Sequence, residues 1–209
     1  MTDFSLIETM RSEPGSGILR ARLHRTRLGN STRKLGFADY QEAWNAVVEK
    51  AGGMDGTSRL RLELFSNGRF EITAVPFTLQ SEDTVWTVRI ATRARLDSTQ
   101  PLLRHKTSLR DVYNAARAEF TREEADEVIL LNDKGEVAEG TITNLFLEGS
   151  DGKLLTPPLS SGCLTGVLRT SLLCQKKARV EKIAPDDLDS AAFYMGNSLR
   201  GLIRAKLLK

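Results

Sequence analysis

Alternation of apolar and polar residues dominates the middle of this 209-residue chain. The alternation runs over residues 59–65, 69–77 and 84–96, and a period of two predicts three strands. Ser66-Asn67-Gly68 is a hairpin turn between the first two strands. This part of the chain is therefore predicted to form three strands, the first two joined as a hairpin.

The residues before this sheet predict a hairpin and a helix. The turn formers at 14–17 separate two strand-like runs, 4–11 and 18–23. Asp39 resembles an N-cap with Glu42 three residues on, and apolar residues follow at helical spacing until two glycines. The first half of the chain is thus predicted to be a small α+β unit.

The second half alternates between helical and strand patterns, and we place a domain boundary in the loop before it. The predicted domains are residues 1–97 and residues 98–209. The predicted elements are a helix over 109–120, strands over 127–132, 137–147 and 153–156, a helix from 166 to 173, strands over 179–183 and 191–195, and a short helix after Ser198.

Composition narrows the chemistry that this chain can perform. Lys and Arg number 30 against 27 Asp and Glu, and a net charge of +3 is too small to indicate nucleic acid or an anionic membrane as a partner. Cys163 and Cys174 are too few for a disulfide framework, and we predict free thiols. With only His24 and His105 beside them, they also argue against a zinc cluster. Any catalysis must therefore use carboxylates, hydroxyls, Lys or Arg side chains, or a bound cofactor.

The chain shows no targeting or membrane-spanning pattern. No stretch approaches the roughly 18 apolar residues of a membrane span, and the first residues lack the apolar segment of a secretory signal. Together with the low cysteine content, this predicts a cytoplasmic protein without a membrane partner.

The most informative residues are Glu139, Asn144 and Gly166. They place an acid at a strand end, an amide five residues later, and a glycine at a helix start, where unpaired N–H groups can hold an anion. Each residue alone has an ordinary structural interpretation. Glu139 could be a solvated charge, Asn144 a turn residue and Gly166 the residue that precedes a helix. Only the combination of the three points to a functional site.

The combined pattern is Glu-x-Thr-x-x-Asn-Leu-Phe, then Leu-x-Thr, then Leu-x-Gly-Val-x-Arg, over residues 139–169. It resembles the class IV aminotransferase family of pyridoxal phosphate enzymes, also called fold type IV. The resemblance implies an α+β fold of two small α/β domains, N-terminally shortened here, with pyridoxal 5'-phosphate as cofactor. It also implies a homodimer. The family includes branched-chain and D-amino-acid aminotransferases and 4-amino-4-deoxychorismate lyase.

The resemblance also implies roles for individual residues. Lys106 lies about thirty residues before Glu139, where the family keeps its Schiff-base lysine, and Glu139 would face the pyridine nitrogen. The His24-x-x-Arg27 element would bring Arg27 to the cofactor phosphate. The full set of implied cofactor-binding residues is Arg27, Glu139, Asn144, Gly166, Val167, Leu168, Asn197 and Ser198.

Three features look most like the aminodeoxychorismate lyase branch of the family. These are residues 8–11, the His105-Lys106-Thr107 context and residues 197–201. The implied reaction releases pyruvate from 4-amino-4-deoxychorismate and leaves 4-aminobenzoate, a folate precursor. Thr9 could donate a proton to the leaving group or could be an ordinary strand threonine. Arg200 is the implied substrate-carboxylate residue, and Arg89, Arg93 and Arg104 are further candidates.

Two other functions stay open at this point. One is an aminotransferase for a branched-chain or D-amino acid. The other is a catalytically silent homologue that serves as a partner subunit, and the retention of Lys106 and Glu139 argues against it. The family's tyrosine five residues after the lysine is replaced by Asp111, with Tyr113 two residues later. The group that contacts the cofactor 3'-oxygen is therefore open as well.

Overall fold

The computed structural model describes residues 4–209, and the contacts within it group these residues into two compact units. Unit 1 contains residues 4–80, 105–109 and 198–200; unit 2 contains 81–104, 110–197 and 201–209. This grouping differs from the predicted division after residue 97. The reason is that the strand at 85–96 pairs with strands of unit 2, whereas two short segments of the second half pack within unit 1.

Unit 1 is a four-stranded antiparallel sheet with two helices on one face. Its elements are β1 (Ser5–Glu13), β2 (Gly17–Ile18), α1 (Ala21–Leu35), α2 (Gln41–Gly52), β3 (Ser58–Phe65) and β4 (Phe70–Pro76). The sheet order is β2-β1-β3-β4. Met10, Leu60 and Leu62 face the helices and pack with Trp44 and Val47 of α2, so alternation along the strands matches the buried face.

Helix α1 occupies residues for which a strand was predicted, so the prediction of a strand over 18–23 was wrong. Gly17 has a φ of 67° and the hairpin partner β2 is only two residues long. Helix α1 then buries His24, Leu28 and Thr32 at helical spacing. Because few of its buried positions are apolar, the sequence does not show the helical period of apolar residues clearly.

Unit 2 is an eight-stranded mixed sheet in the order β10-β9-β8-β11-β12-β5-β6-β7. Helix α4 packs on β10 and β11, and α3 packs on β5 and β6. The elements are β5 (Val85–Leu96), α3 (Asp111–Arg117), β6 (Glu127–Asn132), β7 (Val137–Gly140), β8 (Asn144–Glu148), β9 (Leu154–Thr156), α4 (Val167–Cys174), β10 (Ala178–Val180), α5 (Asp187–Ser190), β11 (Phe193–Asn197) and β12 (Gly201–Leu207).

Two predicted elements of unit 2 differ from the structure. The predicted strand over 137–147 is two strands separated by a turn at 141–143. The buried Glu127 carboxylate accepts hydrogen bonds from the backbone or hydroxyl groups of all three turn residues. The predicted C-terminal helix is instead strand β12, which pairs with β11 and β5, and the exposure of its residues alternates.

The mixed helix and sheet content confirms the predicted α+β class. None of the helices within residues 4–209 is both long and apolar enough to cross a membrane.

Candidate functional site

A buried carboxylate, Glu8 on β1, organises the candidate site residues of unit 1. Arg27 donates to it twice, from Nε at 2.8 Å and from Nη2 at 2.6 Å. His24 Nδ1 lies 2.6 Å from the same carboxylate. Both partners project from α1, which covers this face of the sheet. The predicted phosphate residue Arg27 is therefore held in a two-bonded ion pair with an acid only 1% exposed.

The pKa of Glu8 reflects this ion pair. Burial alone would raise the pKa, but the charge of Arg27 and the hydrogen bond from His24 outweigh burial and lower it to about 2. Burial also lowers the pKa of His24, against the opposing effect of Glu8. Both groups therefore bind protons less readily in the folded chain than in the unfolded chain.

These two lowered pKa values predict a loss of stability on acidification. The unfolded chain takes up more protons than the folded one, so the free energy of unfolding falls as the pH falls. His24 contributes to this loss of stability below about pH 6.5, and Glu8 contributes to it between about pH 4.5 and pH 2. Urea unfolding at pH 7.5, 5.5 and 3.5 measures both stages. His24→Gln should remove the first stage, and equal stability at pH 7.5 and 5.5 in the unaltered chain would contradict the assignment.

Ser198 lies on the other nitrogen of the same imidazole. His24 Nε2 is 2.8 Å from Ser198 Oγ. Because Glu8 holds Nδ1 as the donor, Nε2 accepts and the Ser198 hydroxyl donates. The structure thus connects two predicted cofactor-binding residues of unit 1, Arg27 and Ser198, through Glu8 and His24.

Lys106 lies beside β1 in the short segment 105–109. The Ile7 N–H donates to the Lys106 carbonyl at 2.8 Å, and Leu6 forms a bridge with Thr107. His105 Nδ1 is 2.8 Å from Ser31 Oγ on α1. Thr9 is two residues along β1 from Ile7 and is half-buried on the face opposite Glu8. A backbone hydrogen bond at Lys106 and an isolated bridge at Thr107 thus tie this segment to β1.

Glu139 is the centre of the candidate site residues of unit 2. One oxygen accepts from the Tyr113 hydroxyl at 2.8 Å. The other accepts from Asn144 Nδ2 and from the Leu164 N–H, both at 3.0 Å. Burial and the adjacent Glu139 charge raise the pKa of Tyr113, so the phenol keeps its proton and donates. Three donors from separate elements thus fix the direction of a carboxylate that is 4% exposed.

Gly166 packs against the same asparagine at the start of α4. A Cβ on Gly166 would lie 1.8 Å from Asn144 Oδ1, so the space is already filled. Gly166 provides no side-chain cap, and the N–H groups of Val167 and Leu168 belong to the first turn of the helix. This helix end suits an anion such as a phosphate, and a buried carboxylate suits a protonated pyridine nitrogen. The residues of unit 2 therefore fit pyridoxal phosphate.

Substitution of Gly166 by alanine should displace Asn144. Gly166 has a φ of −63°, which alanine adopts without strain, so the effect is steric. We expect a loss of about 1–3 kcal/mol in the free energy of unfolding, together with weaker binding of pyridoxal phosphate. Gly56→Ala is the matched control, because a Cβ there meets nothing within 4 Å. Equal behaviour of the two variants in unfolding and cofactor titration would show that the close packing is unimportant.

The other predicted residues have different surroundings. Asn197 Nδ2 donates to the Ile142 carbonyl at 3.1 Å, so its amide supports the turn between β7 and β8. The Arg200 guanidinium carbon lies 5.8 Å from the centre of the Phe77 ring. Cys163 is buried and Cys174 exposed, and both are free thiols. Burial raises the pKa of Cys163 to about 12.

Sequence reasoning missed the ion pair of Glu8 with Arg27 and the bond between Tyr113 and Glu139. A signal for Glu8 was present, since an acid at this position interrupts the alternation on the buried side of β1, where Leu6 and Met10 pack. A buried acid of this kind requires partners. No comparable signal connects Tyr113 to an acid 26 residues away.

Similar proteins include two from bacteria and one from a yeast. A Mesorhizobium loti structure, provisionally named an amino-acid aminotransferase, is 48% identical with a TM-score of 0.94, over 99% of this chain and 100% of that one. A Thermotoga maritima protein provisionally named a branched-chain-amino-acid aminotransferase is 32% identical over 60% of this chain and 46% of its own length. A Schizosaccharomyces pombe protein provisionally named aminodeoxychorismate lyase is 28% identical over 72% of this chain and 65% of its own length. The chain thus spans less than two thirds of either curated relative.

The family model for amino-transferase class IV matches residues 5–208, which is almost the whole chain. Members of this family, lyases and aminotransferases alike, depend on pyridoxal phosphate. The chain belongs to the class IV aminotransferase family of pyridoxal phosphate enzymes.

Proposed function

We propose that this chain is a lyase that converts 4-amino-4-deoxychorismate to 4-aminobenzoate and pyruvate. The observation that carries the proposal is the position of Thr9 relative to Lys106. Thr9 is two residues along β1 from Ile7, whose N–H binds the Lys106 carbonyl, a strand distance of about 7 Å. A hydroxyl two residues along the strand from the point where the lysine backbone is bonded suits protonation of a leaving group.

The residues of unit 1 would handle the substrate's protons. The amine of Lys106 would hold the cofactor and then take the proton from the carbon that bears the substrate's amino group. The Thr9 hydroxyl would give a proton to the departing pyruvate enol. Arg27 and Ser198 would contact the cofactor phosphate, the Ser198 hydroxyl then donating to the phosphate instead of to His24. Before the cofactor binds, Glu8 and His24 hold these two residues in place.

The residues of unit 2 would hold the cofactor itself. When bound, pyridoxal phosphate supplies an acceptor for the electron pair left at the reacting carbon. The Glu139 carboxylate would keep a proton at the pyridine nitrogen, and Tyr113, Asn144 and the Leu164 N–H fix its direction. The N–H groups at the start of α4 would bind the phosphate.

An aminotransferase is the second candidate, and similarity favours it. The Mesorhizobium loti and Thermotoga maritima proteins both carry provisional aminotransferase names, and the former is 48% identical to this chain. Both reactions require the same lysine and carboxylate, so the contacts of Lys106 and Glu139 are compatible with either.

Two assays on the same purified protein separate the candidates. The protein with pyridoxal phosphate is incubated with 4-amino-4-deoxychorismate, and 4-aminobenzoate and pyruvate are quantified. In parallel it is incubated with branched-chain or D-amino acids and a 2-oxo acid. The proposal expects equal amounts of the two products and no sustained amino transfer. Steady amino transfer without 4-aminobenzoate would overturn the lyase and support the second candidate, whereas a protein inactive in both assays would support the silent homologue.

As part of this proposal, the chain acts as a cytoplasmic homodimer, which the family resemblance and the low cysteine content support. Light scattering of the purified protein should give about twice the chain mass of 23.2 kDa. A mass equal to one chain across micromolar concentrations would contradict the dimer.

A further inference from the structure

Glu127, the first residue of β6, is a buried carboxylate outside the contacts assigned to the cofactor. The residue is only 1% exposed. Burial of a carboxylate costs free energy unless hydrogen-bond donors surround it. Besides the neighbouring Val128 N–H, its oxygens accept from the turn at 141–143, which connects β7 to β8. A buried charge bonded to one short turn indicates that the conformation of this turn matters.

The Glu127 carboxylate holds the turn with both of its oxygens. Oε1 accepts from the hydroxyl of Thr141 and from its N–H, the latter at 3.1 Å. Oε2 accepts from the Ile142 N–H at 3.1 Å and from the Thr143 hydroxyl at 2.9 Å. One carboxylate is thus bonded to three consecutive residues, so a change in the backbone of any of them breaks a charge-assisted hydrogen bond.

The carbonyl groups of the same turn are bound by other elements of unit 2. Arg110 Nη2 donates to the Thr141 carbonyl. Asn197 Nδ2 donates to the Ile142 carbonyl at 3.1 Å. The N–H groups of these two turn residues therefore bond to Glu127 while their carbonyl groups bond to side chains from elsewhere, and this restricts the turn to one conformation.

Gly140 packs closely against both Glu127 and the turn. A Cβ on Gly140 would lie 3.0 Å from Glu127 Cδ and still closer to the Thr143 hydroxyl. The Gly140 N–H donates to the Thr143 carbonyl at 2.8 Å, which closes the turn. Because the packing is this close, the Glu127 carboxyl group rests on the backbone of the residue that follows Glu139.

Two proposed cofactor-binding residues flank this turn. Glu139 precedes Gly140, and Asn144 follows Thr143. Asn144 Nδ2 donates to Glu139 Oε2 at 3.0 Å, so the turn must bring together two side chains that are five residues apart. A shift of the turn by roughly 1 Å would stretch this hydrogen bond beyond its useful range. The conformation of the turn therefore controls the direction of the Glu139 carboxylate.

We infer that Glu127 is a positioning residue for the cofactor, which acts through the turn 141–143 to direct the Glu139 carboxylate at the pyridine nitrogen. The inference rests on the part of the proposed function that assigns this contact to Glu139. It applies to a lyase and to an aminotransferase alike, because both reactions use the protonated ring as an electron acceptor.

Binding of pyridoxine 5'-phosphate to the full chain tests the inference. This compound has the ring nitrogen and the phosphate of the cofactor but no aldehyde, so it forms no bond with a lysine. Glu127→Gln keeps the size of the side chain but turns an amide N–H toward donors, so its dissociation constant for pyridoxine 5'-phosphate should rise about tenfold or more. Binding of inorganic phosphate, which has no ring, should stay within about twofold.

A double-mutant cycle with Glu139→Gln shows whether Glu127 acts through Glu139. If it does, the two losses of affinity are not additive. Glu127→Gln should then change the dissociation constant for pyridoxine 5'-phosphate less than about twofold in a protein that already carries Glu139→Gln. Full additivity of the two losses would overturn the inference, as would equal weakening of pyridoxine 5'-phosphate and inorganic phosphate by Glu127→Gln.

Thr143→Val and Thr143→Ser form a milder pair of variants that tests the same contact if Glu127→Gln does not fold. Thr143→Val removes the hydroxyl that donates to Glu127 and almost keeps the volume, whereas Thr143→Ser retains the hydroxyl. Thr143→Val should weaken pyridoxine 5'-phosphate binding about fivefold, and Thr143→Ser should stay within about twofold of the unaltered protein. Equal affinities of the two variants would overturn the inference.

Glu119→Gln is the matched control for Glu127→Gln. Glu119 is a carboxylate of the same unit that also accepts from the N–H groups of three consecutive residues, here Thr92, Arg93 and Ala94 of β5. Its substitution should lower the free energy of unfolding but leave the affinity for pyridoxine 5'-phosphate unchanged. Equal weakening of binding by Glu119→Gln and Glu127→Gln would show a general loss of stability and would overturn the positioning role.

The binding measurements also separate this inference from the proposed function. If the unaltered protein forms no 4-aminobenzoate but Glu127 and Glu139 are coupled in the cycle, the lyase proposal fails and the inference stands. If the protein forms 4-aminobenzoate but Glu127→Gln has the same effect with and without Glu139→Gln, the inference fails and the lyase proposal stands.

Discussion

Replacement of Lys106 by alanine is expected to reduce turnover at least about a thousandfold. A positioned general base alone contributes roughly 10²–10⁴ to a rate, and this lysine would also hold the cofactor covalently. Turnover of the substrate identified by the two assays, measured with saturating pyridoxal phosphate, is the readout.

Lys134→Ala is the matched control for this substitution. Lys134 is an exposed lysine in the turn between β6 and β7, so its removal should leave turnover within about twofold. Circular dichroism of both variants shows whether the fold is preserved. Turnover of Lys106→Ala equal to that of the control would assign the chemistry to another residue.

Glu8→Gln should lower the free energy of unfolding by about 3–5 kcal/mol. Removal of one partner of a buried ion pair leaves the other charge unpaired in a poorly solvated place. Here two partners are affected, since Arg27 and His24 both bind the lost carboxylate, and the new amide would direct N–H groups toward donors. Urea unfolding at pH 7.5 measures the effect.

An exposed ion pair on the same sheet provides the comparison. Arg69 and Glu71 form a pair in which both side chains are more than half exposed. Glu71→Gln should cost less than about 1 kcal/mol, because solvent screens the interaction. If Glu8→Gln is no more destabilising than Glu71→Gln, the buried network does not hold α1 on the sheet. We also expect Glu8→Gln to weaken pyridoxal phosphate binding, since it releases Arg27 and, through His24, Ser198.

The strands were predictable where one side of a strand is buried and the other is not. Residues 59–65 and 69–77 alternate clearly, and β3 and β4 occupy these positions. Helix α1 was not predictable in the same way, because polar side chains such as His24 and Thr32 fill its buried positions. Its burial depends on an ion pair with β1 that a local pattern does not contain.

The candidate site was predictable in part. The order of Glu139, Asn144 and Gly166 indicated a shared site, and the structure brings these three into contact. The support of this site comes from residues far away in sequence. Glu127 organises the turn between β7 and β8, and Tyr113 holds Glu139. Such contacts arise from the packing of whole elements, so no spacing rule within a single segment predicts them.

Borohydride reduction of the cofactor-loaded protein, followed by peptide mass analysis, tests the central claim most directly. Reduction makes the bond between the cofactor and its lysine permanent, so the modified peptide identifies that lysine. We predict a yellow protein that is bleached by borohydride and carries the pyridoxyl group on the peptide that contains Lys106. A protein that stays colourless with added pyridoxal phosphate, or a modification on any other lysine, would contradict the account.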